Sequence, residues 1–229
     1  MRRWPVGTPI GSFRPSMAQP KIPPELDDAL RTRLAELCTA GWEIFERFET
    51  EVRDRRFHPF IASDYEVVLA ALLAHRGSGF RFLEWGSASG VIAIMADLLG
   101  YDASGIELDE ALVDMSRHLA SKFDSRARFV AGSFFPTGYV YRARDGAGSA
   151  VLGAEGPSGY VLLGRALDEF DVVFGYPWGG EVPVMLDLMR CYGRPDALLL
   201  LHDVNDGVTA YRGGRETTRP CRADRGARA

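Results

Sequence analysis

The sequence predicts an α/β fold: a doubly wound, mostly parallel sheet with N-terminal helices and a β-hairpin insertion between strands three and four. Three observations lead there. Short apolar runs alternate with segments of helical period from residue 80 onward, the pattern of strands buried on both faces and joined by crossover helices. The junction after the first run, "WGSASGV", is made of small residues where a strand turns into a helix. Between residues 132 and 169 the alternation stops, and eight glycines occupy that stretch.

The elements follow in chain order. Leu26, Leu30, Leu34, Leu37, Phe45, Phe48 and Val52 recur three or four residues apart except across Gly41, which predicts one amphipathic helix or two meeting near Gly41. "FHPF" ends it. In "SDYE", Ser63 stands three residues before Glu66, the spacing of a capping box, so a second helix is expected from about Asp64 to His75. "FRFLEW" (80–85) reads as the first buried strand and "VIAIMADLLG" as a helix closed by Gly100. "ASGIEL" (103–108), "ARFVAG" (127–132), "FDVVFG" (170–175) and "DALLLL" (196–201) read as further strands. Helices are expected over 109–123 and from Glu181 to Gly193, where Pro183 falls in the tolerated first turn. Within the interruption, "GYVYRARDGAGSAVLG" reads as two short strands around Asp145 and Gly146, and "YVLLGRAL" (160–167) as a short helix. Only 27 residues follow His202, and "GVTAYRG" can supply one short strand among them. The strand edge left open has to be covered by the hairpin, the N-terminal helices or a second subunit, so a homodimer is expected.

At 229 residues and 46% hydrophobic content, the chain suits one main domain with appendages. We divide it into a flexible basic arm (1–24), a helical cap (25–62), a main domain (63–212, with the insertion at 133–169) and a disordered basic tail (213–229). The formal charge of −4 is unevenly spread: residues 1–21 hold four Arg and Lys and no acid, residues 212–229 hold six Arg against two acids, and the middle is left near −12. An acidic middle argues against a phosphate-tracking groove, so a small molecule rather than nucleic acid is the expected partner. Cys38, Cys191 and Cys221 are far apart and odd in number; they signal neither a disulfide framework nor a zinc site, no metal is expected, and a reducing cytoplasmic setting fits. No apolar run approaches the roughly 20 residues of a membrane span. The basic N-terminus is broken by proline and glycine before an apolar leader core develops.

In an open α/β sheet, ligands lie beyond the carboxyl ends of the strands, over a strand-to-helix turn. Small residues there permit positive φ and let a ligand approach the backbone. Gly86, Ala88 and Gly90 fall on alternate positions, with Ser87 between the first two, and a helix N-terminus with free N–H groups follows. Such a turn can cradle adenosine or phosphate. A dinucleotide fingerprint needs G-x-G-x-x-G, but counting from Gly86 puts Ala88 second and Val91 third, where close helix packing wants a small residue. That disfavours NAD. The pattern acidic-x-G-x-A-x-G, with Glu84 in front, resembles instead motif I of the class I S-adenosylmethionine-dependent methyltransferases, which have a Rossmann-like fold. "GIELD" adds Glu107 at the end of the second strand, 21 residues beyond Gly86, where such enzymes hold the ribose.

The resemblance runs from about residue 64 to 202. It implies S-adenosyl-L-methionine as cofactor, bound by Glu84, Gly86, Ser87, Ala88, Gly90, Glu107 and Leu108. Apart from the resemblance, a carboxylate has two acceptor oxygens and can take both vicinal hydroxyls of a ribose. The family commonly has an acid after the third strand to meet the adenine amine, whereas "VAGSF" supplies Ser133; main chain there, or Phe134, would serve instead. The family also usually carries a helix and two strands beyond the fifth strand, more than this chain has room for.

Methyl transfer from a sulfonium is an in-line displacement in which the cofactor carries the activated group, so alignment supplies much of the rate. The fourth strand ends in "DVVFGYPWGGE", where the family borders the transferred methyl. Tyr176-Pro177-Trp178 is loosely similar to the Asn-Pro-Pro-aromatic signature of nitrogen methyltransferases, but the amide residue is missing, and amino specificity does not carry over. Tyr176 and Trp178 would shape a flat acceptor pocket with Pro177, His58 and Asp203. At the end of the fifth strand stand His202, Asp203 and Asp206. A histidine that titrates near neutral pH can act as general base toward a hydroxyl acceptor, which makes His202 and Tyr176 the candidate catalytic pair. The expected function is therefore methyl transfer to an unidentified small molecule. The missing amide and short C-terminus keep a non-catalytic nucleoside-binding module of the same fold as the alternative.

Overall fold

Five apolar runs form five parallel strands: β1 (Arg81–Trp85), β2 (Asp102–Glu107), β3 (Arg128–Ala131), β4 (Val172–Gly175) and β5 (Leu198–Asp203). The computed structural model describes residues 21–53, 60–77, 79–140, 156–178, 180–203, 205–213 and 215–217. Residues 1–20 of the arm, 218–229 of the tail, His58, and 141–153 of the expected hairpin lie outside them. Two antiparallel strands, β6 (Gly207–Arg212) and β7 (Arg215–Glu216), complete a seven-stranded sheet in the order β3-β2-β1-β4-β5-β6-β7. β1 pairs with β2 on one side and with β4 on the other. The strand order thus reverses between β1 and β4, which opens a ligand crevice at their carboxyl ends.

Among the described residues, six helices cover the sheet: α1 (Asp28–Phe48), α2 (Tyr65–Ala74), α3 (Val91–Leu98), α4 (Glu110–Lys122), α5 (Gly159–Leu163) and α6 (Val182–Tyr192). Alternation along each strand sends its side chains to two separate cores. Phe82, Val172, Phe174, Leu198 and Leu200 pack with α1 to α4, whereas Leu83, Trp85, Val173, Leu199 and Leu201 pack with α5 and α6. α1 shares the first of these cores with α2 and α3 rather than building its own. It runs unbroken through Gly41, where a Cβ would lie 2.7 Å from Tyr65 Oη and 2.8 Å from Val91 Cγ2. Gly41 is therefore a close-packing position and not a break. After Phe48 the helix widens into a π-helical turn, Glu49–Arg53.

Two local expectations need correction. Ser63 does not cap α2; it is buried, and Asp64 takes that place, its carboxylate accepting the N–H groups of Glu66 (3.1 Å) and Val67 (3.3 Å). Serine and aspartate cap about equally well, and the helix starts one residue later than the capping-box spacing required. Asp64→Ala is expected to destabilise the chain by about 1 kcal/mol; an unchanged urea midpoint would contradict that role. The edge of β5 is covered by the chain's own continuation into β6. Asp203 begins the reversal by accepting the N–H groups of Asn205 (2.8 Å) and Asp206 (3.3 Å), and Gly207 finishes it at φ +79°. "DVNDG" carries this turn chemistry openly in the sequence. No helix among the described residues is long and apolar enough to cross a membrane.

Candidate functional site

The bend between β1 and α3 has three left-handed residues in alternation: Gly86 (φ +67°), Ala88 (φ +45°) and Gly90 (φ +77°). The two glycines there have different reasons to be glycine. A Cβ on Gly86 would meet nothing within 4 Å, so the space over the bend is open. A Cβ on Gly90 would lie 2.6 Å from Ser116 Cβ and 2.7 Å from the Phe129 ring, so this residue lets α3 sit close to α4 and β3. Ala88 pays about 1 to 2 kcal/mol of left-handed strain, offset by packing of its methyl against a small cluster containing Phe48, Phe60 and Leu112. Phe60, which the sequence did not single out, thereby buttresses the outer side of the bend.

Two carboxylates hold this bend from behind. Glu107, at the end of β2, accepts the N–H of Ala88 on Oε2 (2.9 Å) and those of Leu108 (2.7 Å) and Asp109 (3.0 Å) on Oε1. A carboxylate offers about four acceptor positions. One remains beside the three that shape the turn. Ser87 sits behind the bend, its N–H donating to Ile106 O at 3.0 Å and its side chain filling the space left by Gly105.

Glu84 is buried beneath the bend and accepts the N–H of Ala93, in the first turn of α3, at 2.9 Å. Burial pushes its carboxyl well above the usual range; the Ala93 N–H partly opposes this and the charge of Glu107 adds to it. The sign of the consequence is fixed by linkage: with a raised folded-state pKa, the native chain loses stability as pH rises above the unfolded carboxyl value of about 4.3 toward the raised one. Glu84→Gln keeps an acceptor for Ala93 and carries no charge. It is expected to gain stability over the wild type steadily as pH rises from about 4.3, read from urea midpoints across that range; parallel curves would contradict the assignment.

The end of β3 meets the root of the insertion beside the bend. Ser133 pairs with Ser158 in an isolated parallel bridge, and a Cβ on Gly132 would be 2.9 Å from the Gly159 backbone. The Ser133 hydroxyl accepts the N–H of Phe135 at 3.1 Å. Phe134 is buried and stacks on Trp85 at 5.4 Å, so one of its faces already belongs to the α5 and α6 core. Leu108 is 41% exposed at the strand end, with Gly156 nearby, and offers the apolar surface that Phe134 does not.

On the other side of the crevice, Trp85 lies beside Gly175, and Gly175 beside Leu201. One residue further along each strand stand Gly86, Tyr176 and His202, a row that crosses β1, β4 and β5. Two strand spacings, about 10 Å, separate its ends. The Tyr176 ring meets the His202 imidazole edge-on, centroids 4.7 Å apart. Pro177 and Trp178 are half-buried, and the Trp178 N–H donates to Glu181 at 2.9 Å, fixing the turn into α6. Asp203 is exposed and engaged in the β5–β6 turn. His202 is not the near-neutral histidine its type suggests. It is 3% exposed, and burial pushes it down to about 4 against the opposing pull of Asp64 and Asp203. Burial and the Asp203 charge push Tyr176 up to about 12. At neutral pH both are uncharged.

A separate cavity of about 520 Å³ lies between α5 and α6, lined by Tyr160, Val161, Asp168, Cys191, Tyr192 and Arg194 among others. Among the described residues, no three His, Cys, Asp or Glu side chains come together as a metal site.

No family model matches the chain. Among curated proteins it is 36% identical over 67 residues to the ribosomal protein L11 methyltransferase of Thermus thermophilus. That stretch is 29% of this chain and 26% of the relative, so the match spans about a quarter of that protein. Among solved structures it is similar to a precorrin-6y C5,15-methyltransferase from Geobacter metallireducens, with 17% identity, 65% of this chain and 68% of that one covered, and a TM-score of 0.44. It is also similar to a SAM-dependent methyltransferase from Thiobacillus denitrificans in complex with S-adenosyl-L-homocysteine, with 20% identity, 69% and 54% covered, and a TM-score of 0.42. An RNA methyltransferase from Salinibacter ruber, in complex with the same compound, is 18% identical with 59% and 74% covered and a TM-score of 0.43.

Proposed function

We propose that the chain is an S-adenosyl-L-methionine-dependent methyltransferase acting on a small-molecule acceptor. The observation that carries this reading is the bend at 86–90: three left-handed residues at a strand-order reversal, open above Gly86, with the Glu107 carboxylate holding the Ala88 N–H and keeping one acceptor position free. The 67-residue match to a methyltransferase supports the same reaction class.

The residues present suit the adenosyl group. Glu107 would bind a ribose hydroxyl, Gly86 would admit the ligand against the backbone, Leu108 and the main chain at Ser133 would border the adenine, and Glu84 would lie near the methionyl end. The cofactor supplies an activated methyl on a sulfonium. The chain's own part is to hold that end still beside the β4 terminus and to keep water from it. Tyr176, Pro177 and Trp178 would wall the acceptor. His202, uncharged, suits a neutral acceptor better than a phosphate-rich one.

Calorimetric titration with S-adenosyl-L-methionine and S-adenosyl-L-homocysteine, followed by transfer of labelled methyl into a small-molecule extract, tests the reading. Binding of both and label in a low-mass product are expected. Binding without transfer would favour a nucleoside-binding module, and absence of binding would overturn the proposal.

A further inference from the structure

We propose that Phe60, acting through the strained Ala88, is a positioning residue that sets the affinity of the bend for its adenosyl ligand; this rests on the methyltransferase reading above. Among the described residues, Ala88 (φ +45°) and Asp124 (φ +50°) are the non-glycine residues with positive φ. Asp124 follows α4, and an aspartate tolerates the left-handed region through its short polar side chain. Alanine has no such group. A residue strained in this way persists only where its surroundings over-determine it, so whatever holds Ala88 also governs the bend that faces the ligand.

Two supports hold Ala88, one on each side. From behind, Glu107 accepts its N–H at 2.9 Å. From outside, its methyl packs against Phe48, Phe60 and Leu112, a cluster separate from both main cores. Leu112 belongs to α4, which Val113, Leu119 and Ala120 anchor in the first core. Phe48 is the last residue of α1. Phe60 alone of the three lies outside a helix, yet it is buried and stands edge-on to both Phe48 and Phe45, centroids 5.0 and 5.4 Å apart. Shortening it therefore loosens the cluster without shifting a helix. The left-handed conformation then loses its outer support, Ala88 relaxes toward negative φ, and its N–H turns away from Glu107. The carboxylate that would hold the ribose loses its orientation with it. Affinity falls with the fraction of molecules that keep the bend formed. By the same linkage, ligand on the bend tightens the cluster, and Phe60 has no need to touch it.

The test uses the full chain and S-adenosyl-L-homocysteine as probe, with Phe60→Leu made both in the wild type and in Ala88→Gly. In the wild type, Phe60→Leu is expected to weaken binding about fivefold or more. In the Ala88→Gly background it should weaken binding less than about twofold, because glycine holds positive φ without strain. Without ligand, the Ala88 amide should exchange about tenfold faster in Phe60→Leu, measured relative to the Leu200 amide in β5 so that a general loss of stability cancels. Unchanged affinity, an equal loss in both backgrounds, or an unchanged exchange ratio would overturn the proposal; a ring that only fills space lowers the urea midpoint and leaves the difference between backgrounds at zero. Should Phe60→Leu not fold, Phe48→Leu opens the same cluster and is read in the same way. If S-adenosyl-L-homocysteine does not bind the wild type, the methyltransferase reading fails, while the exchange ratio still decides whether Phe60 positions the bend.

Discussion

Glu107→Ala is expected to lower affinity for S-adenosyl-L-homocysteine more than tenfold, if the proposed ribose contact holds, and to destabilise the chain as well, by about 2 kcal/mol. The sequence alone argues for the first effect only, since it shows a strand-end acid with nothing yet attached. In the structure three backbone N–H groups rest on that carboxylate. Hydrogen bonds to charged groups are each worth about 1.5 to 3 kcal/mol, but the N–H of Leu108 opens to water once the acid is gone. The Ala88 N–H bears most of the loss, because its residue also carries the left-handed strain. Glu107→Gln separates the two roles in part: its amide oxygen still serves Ala88 while the N–H groups of Leu108 and Asp109 lose their acceptor, so less stability is lost than in Glu107→Ala while affinity falls. Urea denaturation and titration with S-adenosyl-L-homocysteine measure both. Unchanged affinity in either variant would remove the ribose from Glu107.

Gly86→Val and Gly90→Ala are expected to fail in opposite ways. At Gly86 the added side chain enters open space above the bend. Left-handed strain lowers stability by about 1 to 2 kcal/mol, while the branched side chain fills the room a ligand needs and reduces affinity at least tenfold. At Gly90 the added methyl meets Ser116 and Phe129 at 2.6 and 2.7 Å. Overpacking adds about 1 to 3 kcal/mol to a similar strain, so Gly90→Ala unfolds early and loses affinity chiefly through that. If Gly86→Val binds as tightly as the wild type at concentrations where it is folded, the bend does not face the ligand.

The strands were legible because each is an apolar run with β-branched or aromatic content and helical periods on either side. Their pairing into a reversed order follows from that alternation. Glu84, Gly86 and Glu107 were linked in the sequence by the resemblance to motif I together with their spacing, and the structure brings both carboxylates to the same bend and helix start. What the sequence hid is geometric. It did not reveal that Gly90 serves helix packing while Gly86 faces open space, because both are simply glycine between small neighbours. It did not reveal the burial of His202, since β5 was read to end at Leu201 and instead continues through Asp203. Without β6 in place the histidine looked like a solvated strand end. "DVNDG" held the missing signal, and Asp203 was read as a pocket acid rather than as the first residue of a turn. Ser63 and Asp64 were indistinguishable as caps until the helix start was known.

The outermost described strand, β7, is two residues long, and both its residues, Arg215 and Glu216, are exposed and charged. A border so short and so hydrophilic gives an incoming chain almost no template on which to continue the hydrogen-bonded ladder. Among the described residues, this border therefore favours contacts through side-chain surfaces over main-chain zippering.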